Sequence, residues 1–345
     1  MELIETVVVG AGPAGLRAAQ VLAEAGRDVL VIERNEQIGP KTCAGGLTMK
    51  AVQELEALGL PPHEGRTTTA EISFLGEPHI RLNPARGAVR TIARAILGRY
   101  QACWTRRAGA AIVTGSSATD LNLTDRTLRV NGRAIRYKNL IGADGSASRV
   151  RRALGLPIRR DVFAGEFNVR GAMADDLQVT FDSAALGPGY FWVFPHSDYV
   201  SFGAGGPTSL LKPSEVRPYV ERRLGSMGVD PSGTAFEAAT IETDFRGLSF
   251  GNGVWLAGDA AGLASALTGE GIYPALVSGE EVARGILTPG YRPAKTLDWL
   301  RVKRVHEALA RLWHRRPTRV ASLRLLRAMS RVDPLQNKLA SLFLG

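Results

Sequence analysis

The segment ETVVVGAGPAGLRAAQVLAEAGRDVLVIER, running from Glu5 to Arg34, decides the fold. Thr6 to Val9 is a short β-branched run of the kind that forms a strand buried on both faces. Gly10-Ala11-Gly12-Pro13-Ala14-Gly15 follows at once. A helical pattern then runs through Leu16, Ala19, Val21, Leu22 and Ala25 to Gly26, and Val29 to Ile32 forms a second strand ending on Glu33. Each glycine has a mechanical reason: Gly10 for the sharp turn, Gly12 for approach of a pyrophosphate to the backbone, Gly15 for close packing of helix on strand. The helix N-terminus offers free N–H groups and a partial positive charge to the phosphates. Glu33 stands where a carboxylate accepts hydrogen bonds from the adenosine ribose.

Two later segments choose between a nicotinamide and a flavin. Residues 139–156, NLIGADGSASRVRRALGL, read as a strand ending on Asp144-Gly145 and a basic helix start. Residues 253–287 read as a strand, then Gly258-Asp259-Ala260-Ala261, then a glycine-rich turn (Gly269, Gly271) opening a long helix near Ile272, with Tyr273 and Pro274 in its first turn. Asp259 at a strand end suits the hydroxyls of a ribityl chain. The positive end of the helix suits a flavin pyrimidine edge that becomes anionic on reduction.

GAGPAG with Glu33, GADGSASRVR and GDAAG together resemble the FAD-dependent oxidoreductases of the p-hydroxybenzoate hydroxylase fold, over about the first 290 residues. Three further features resemble one branch, the geranylgeranyl reductases. They are GPKTCAGGL (39–47), the aromatic run Tyr190-Phe191-Trp192-Val193-Phe194-Pro195, which fits Y/F-x-W-x-F-P, and LTGEGI (267–272), whose Glu270 departs from the triple glycine of archaeal lipid reductases toward the chlorophyll type. The resemblance implies an α/β, α+β overall, architecture. A Rossmann-like FAD-binding domain (1–66, 92–160 and 245–290) interleaves with an antiparallel-sheet substrate domain (67–91 and 161–244), followed by a basic helical C-terminal segment (291–345). Besides the glycines and acids above, it assigns Pro13, Ala14, Arg34, Cys43, Ala44, Gly45, Arg90 and Ala118 to the cofactor. The aromatic-Asp pair usual after such an arginine is Ala93-Arg94 here, and the family's longer C-terminal domain looks shortened.

In a strand, Tyr190, Trp192 and Phe194 share one face and Phe191 and Val193 the other. That aromatic face suits a long hydrocarbon chain with no polar handles. The activity implied is saturation of isolated C=C bonds of a polyprenyl, geranylgeranyl-type chain by flavin hydride plus a proton. Cys43, Tyr190 and Trp192 are the candidate catalytic residues. Cys43, Tyr190 and an ordered water are the candidate proton donors, and Tyr190 and Trp192 would steady positive charge on the alkene. The alternatives are an FAD-dependent monooxygenase, a lycopene-cyclase-like isomerase and a non-enzymatic flavoprotein. The electron donor is left between NAD(P)H and a ferredoxin-type partner protein, since no second glycine motif follows a strand.

Composition narrows the setting. The 345 residues are 45% hydrophobic and 22% charged, as in globular chains. Two cysteines without CxxC spacing and five scattered histidines argue against a disulfide framework or a metal site. Cys103 reads as core. No segment has the length of a membrane span and the N-terminus is acidic, so a cytoplasmic protein is expected. The net charge of +10 is concentrated in residues 301–331, with ten Lys/Arg against Glu307 alone. That tail reads as two helices broken at Pro317. The second carries Val320, Leu323, Leu326 and Met329 on one face, suited to peripheral contact with the anionic inner face of a membrane or to a lid over the pocket. Nucleic-acid binding has no recognisable module.

Overall fold

The computed structural model describes residues 2–61, 65–74, 80–81, 88–159, 161–329 and 332. Two sheets organise the chain. The first is built around β1 (Glu2–Val9), flanked by β2 (Val29–Ile32) and, outside it, β7 (Ala111–Val113), all parallel. On the other side β1 pairs in parallel with β10 (Arg133–Gly142), which pairs in turn with β16 (Val254–Leu256). β8 (Ala118–Asn122) and β9 (Thr127–Val130) extend this sheet antiparallel off the start of β10. Val7, Val8 and Val31 are completely buried, as a sheet covered on both faces requires.

The covering helices are α1 (Pro13–Glu24), α3 (Arg94–Arg107) and α6 (Ile272–Leu287). α1 and α6 pack so closely that a Cβ at Gly279 would lie 2.2 Å from the Ala14 carbonyl oxygen. α2 (Met49–Ala57) begins on Thr48 and α4 (Arg149–Ala153) on Ser148, each capped through a side-chain oxygen. Cys103, on α3, is exposed. The core expectation fails there because α3 turns Ala102 and Thr105 toward α1 and leaves Cys103 on its outer side.

The second sheet runs in the order β15 (Phe236–Ile241), β11 (Val162–Arg170), β14 (Tyr199–Pro207), β13 (Tyr190–Pro195), β12 (Leu177–Phe181), β4 (Arg66–Phe74), β6 (Ala88–Thr91), β3 (Gly46–Leu47), with β5 (Ile80–Arg81) on β4. It is antiparallel except where β12 pairs with β4. α5 (Pro213–Ser226) covers one face, and Phe191 and Val193 pack there with Val216, Val220 and Leu224. The opposite face carries Tyr190, Trp192 and Phe194. Gly203 on β14 makes room for the indole: a Cβ there would lie 2.2 Å from a Trp192 ring carbon.

The chain closes with α7 (Ala294–His314) and α8 (Arg316–Met329). The break falls at Arg315, and Pro317 sits in the first turn of α8, where proline costs no hydrogen bond. α7 buries Thr296, Trp299, Lys303, His306 and Trp313 against the body. Trp299 Nε1 donates to Leu263 O (2.8 Å), Lys303 Nζ to Ala264 O (2.7 Å), and His306 Nδ1 bonds Ser265 Oγ (2.9 Å). The described part of the tail is therefore docked on the loop before α6. Arg331 lies outside the described residues. Among those residues no helix is long and apolar enough to cross a membrane.

Candidate active site

A cavity of about 910 Å³ lies between the two sheets. One end is a nucleotide cradle. Gly10, at φ +103, has the Ala143 carbonyl oxygen 2.4 Å from where a Cβ would be, and at Gly15 the Gly10 carbonyl oxygen stands 2.0 Å away. A Cβ at Gly12 would meet nothing within 4 Å. Gly12 thus leaves open space in front of the α1 N-terminus, where a pyrophosphate needs it. Glu33 bonds the Ala11 and Asn35 amides (2.8 and 2.9 Å), fixing its carboxylate beside the turn. Arg94 also lines the cavity, buried, with Nη1 lacking any hydrogen-bond partner among the described residues. An orphaned guanidinium N–H beside this cradle fits an anionic or carbonyl-rich cofactor such as FAD. Asp259 lines the same wall, held by Lys41 Nζ and Ser146 Oγ, both at 3.3 Å.

The other end is apolar and aromatic. Tyr190, Trp192 and Phe194 form a contiguous row, with ring centroids 6.1 Å apart for the first pair and 6.4 Å for the second. Ile72, Val89, Leu177, Val179 and Leu267 complete this part of the lining. Beneath the row runs a buried polar chain. Trp192 Nε1 donates to Ser201 Oγ (3.0 Å), Ser201 donates to Glu166 Oε2 (2.7 Å), and Glu166 Oε1 accepts the Cys43 amide (2.8 Å). Burial pushes the Glu166 carboxyl above the usual range, and the Ser201 and Cys43 bonds oppose the rise. One carboxylate therefore sets the position of both the indole and the Cys43 loop. Beside them His196 Nε2 bonds Ala44 O (2.9 Å) while its ring stacks on Tyr199, centroids 4.2 Å apart. Burial lowers the His196 pKa, favouring the neutral ring.

The structure brings many of the sequence-marked residues to one cavity: Gly12, Pro13, Ala14, Cys43, Ala44, Gly45, Gly258, Asp259, Gly269, Gly271 and Ile272 line it together with the aromatic row. Gly10, Gly15, Glu33, Arg34, Ala118 and Asp144 lie outside its lining. Asp144 Oδ2 instead accepts the Arg149 amide at the start of α4 (2.6 Å), and burial raises its pKa. Ala118 O accepts from the Arg149 side chain (3.0 Å), and Arg34 is exposed. Arg90, on β6, does not reach the cavity, because its guanidinium pairs with Glu56 at 2.8 Å; Arg94, at the first position of α3, lines it instead.

Glu166, Ser201, His196, Arg94 and Thr48 were not marked from sequence. For Glu166 a signal existed, an acid in the middle of the largely apolar stretch VFAGEF of β11. Glu270 was noted as a departure only. Its Oε1 accepts from Thr48 Oγ1 (2.9 Å), and burial raises its pKa from 4.5 to about 7 against the opposing pull of Thr48 and Lys50.

Comparison with known proteins agrees with this geometry. Residues 4–83 match the FAD binding domain profile. Digeranylgeranylglycerophospholipid reductase 2 of Methanopyrus kandleri is 31% identical over 300 residues, covering 80% of this chain and 74% of that protein. Menaquinone reductase of Mycobacterium tuberculosis is 32% identical over 311 residues, covering 81% and 75%. The crystal structure of a geranylgeranyl bacteriochlorophyll reductase-like protein from Thermoplasma acidophilum superimposes with a TM-score of 0.80 at 22% identity, covering 96% of this chain and 92% of that one, which is a likeness of fold.

Proposed function

Since the chain belongs to the geranylgeranyl reductase family of FAD-dependent oxidoreductases, we propose that it saturates isolated double bonds of a polyprenyl chain. The observation that carries this reading is the aromatic row of Tyr190, Trp192 and Phe194 on the wall of a cavity whose far end is a dinucleotide cradle. An isolated trisubstituted alkene is a weak electrophile and offers no group to hydrogen-bond, so it must be held by shape and contact area. FAD, when bound and reduced, supplies the hydride equivalent. The chain's residues do the rest. Gly12 and the start of α1 receive the pyrophosphate, and Arg94 and Asp259 hold polar edges of the cofactor. The rings of Tyr190 and Trp192 face positive charge developing on the alkene. α7 walls one side of the chamber, which reduces its contact with bulk water.

The lipid must arrive from a bilayer, and the outer faces of α7 and α8 suit that contact. Arg301, Arg304, Arg316 and Arg324 are exposed there beside Leu312 and Leu325, which are 45% and 61% exposed. Arg311, His314 and Arg315 belong both to this surface and to the rim of the cavity. A basic surface with apolar side chains among the arginines favours an anionic membrane.

The test is product analysis under argon. Photoreduced holoenzyme, given geranylgeranyl diphosphate, should reoxidise its flavin and return a product heavier by the mass of two hydrogens per bond. A product that contains added oxygen and forms only in air would replace this reading with a monooxygenase. A product of unchanged mass would replace it with an isomerase.

A further inference from the structure

Glu270 occupies a singular place in the cavity. A Cβ added at Gly269, just before it, would lie 3.4 Å from the Tyr190 hydroxyl, and one at Gly271, just after it, 3.3 Å from Asp259 Oδ1. The residue thus sits where the aromatic wall meets the cofactor cradle. The other carboxyls of the lining are committed. Asp259 is held by Lys41, Glu166 by Ser201 and Cys43, Asp244 by Arg151, and Glu307 by Lys303. Asp161 bonds Thr243 (3.1 Å) among the residues of the far rim. Glu270 has a single neutral partner, Thr48, and no ion pair among the described residues.

We propose that Glu270 is the acid that protonates the substrate double bond, with Thr48 as the residue that positions it. This deepens the polyprenyl-reductase reading and rests on it. Tyr190 is a poor rival, because its hydroxyl proton is already donated to Thr268 O (2.6 Å) and burial holds it protonated. In the step, the carboxyl O–H bond breaks and the alkene π pair forms a C–H bond with that proton. The neighbouring carbon receives a hydride and its electron pair from the reduced flavin. The alkene is reduced by two electrons, the flavin is oxidised by two, and the Glu270 carboxylate is left to regain a proton from water.

The surroundings favour a neutral acid that still releases its proton. Among the described residues Lys50 on α2 is the cation that acts on the carboxyl, and it favours the charged form. Tyr273 on α6 feels the Glu270 charge, and the Tyr190 hydroxyl stands beyond Gly269. Burial outweighs Lys50 and keeps the group protonated up to about pH 7. Turnover should therefore be full in mild acid and fall as pH rises through that value.

The test uses the FAD-loaded full chain and geranylgeranyl diphosphate under argon, with E270Q and E270D. A positioned general acid contributes on the order of 100-fold or more. The expected result is that E270Q loses about that much kcat with KM and flavin content unchanged, E270D keeps an intermediate rate, and the fall in rate near neutral pH vanishes in E270Q. A second readout needs no turnover: infrared titration of the lipid-free protein should show, as the difference between wild type and E270Q, a protonated-carboxyl component that disappears near neutral pH, separate from any band of Glu166 and Asp144. E270Q that turns over within a few-fold of wild type with the same pH profile overturns the assignment while leaving the reductase reading intact. An infrared titration that is the same in E270Q as in wild type overturns it as well. A wild-type enzyme that never reduces the lipid overturns the reductase reading and the donor role with it.

Discussion

Replacing Ser201 with alanine removes one hydroxyl from the middle of the chain that links Trp192 to Glu166 and Cys43. Ser201 is fully buried on β14, 2.7 Å from Glu166 Oε2 and 3.0 Å from Trp192 Nε1. The bond to the carboxylate is worth about 2 kcal/mol, and the indole N–H left without a partner costs about 1 kcal/mol. Ser201→Ala should therefore destabilise the protein by about 3 kcal/mol. The loss should also depend on pH. The folded pKa of Glu166 is already raised by burial, and the Ser201 bond is the largest influence holding it down. Without that bond the folded carboxyl rises further, so the native state retains a proton that the unfolded chain releases. Stability then falls as pH increases from the usual carboxylate range toward the raised pKa. The deficit should be smallest in acid and grow toward alkaline pH. Urea unfolding of the holoprotein at two pH values measures it. Adding Trp192→Phe removes the orphaned N–H and should recover about 1 kcal/mol in a double-mutant cycle. A Ser201→Ala variant within about 0.5 kcal/mol of wild type at both pH values would refute the network, since that is the spread of an unconnected site.

Two further outcomes separate the parts of the molecule. Arg94→Met should weaken FAD binding by about tenfold or more, the worth of one charged hydrogen bond. Arg90→Met, which breaks the pair with Glu56 outside the cavity, should leave affinity unchanged and lower stability; flavin-fluorescence titration beside thermal unfolding distinguishes them. Reversing both Arg311 and Arg315 to Glu should cut partitioning onto phosphatidylglycerol vesicles by at least about tenfold, at roughly 1 kcal/mol per basic residue, and leave uncharged vesicles unaffected. Equal sedimentation of variant and wild type with anionic vesicles would rule out that face.

The elements legible in sequence were those specified by neighbours along the chain. β1, the Gly10–Gly15 turn, α1 and β2 declare themselves within thirty residues, because strand periodicity, glycine spacing and helix periodicity follow each other without a gap. The aromatic run was legible for the same reason: alternation alone assigns Tyr190, Trp192 and Phe194 to one face. What stayed hidden depends on long-range pairing. Glu166 meets the Cys43 amide across 123 positions and Thr48 meets Glu270 across 222, and no local pattern encodes either. Arg90 lies in β6 and Arg94 opens α3, four positions on, so the choice between them depends on where the strand gives way to the helix and on where Glu56 falls. The inward face of α7 was masked by its own chemistry, because the stripe Trp299, Lys303, His306, Trp313 carries two groups that charge rules place outside.

That stripe changes what the C-terminal segment is. A lysine whose side chain is only 2% exposed costs desolvation, which lowers its pKa, and it is retained here by bonds to Ala264 O and Glu307. With Trp299 on Leu263 and His306 on Ser265, three consecutive residues of the loop before α6 are held from α7. Ser265 in turn accepts the Leu267 and Thr268 amides at 3.2 and 3.1 Å, and its own amide donates to Glu270 O at 2.9 Å. On its inner face α7 therefore fixes the loop that positions Glu270 and the Tyr190 hydroxyl partner Thr268. The proposed membrane contact, on its outer face, would share that one element with the chamber geometry. A tilt of α7 on binding lipid would be transmitted to the acid by hydrogen bonds, with no moving domain between them.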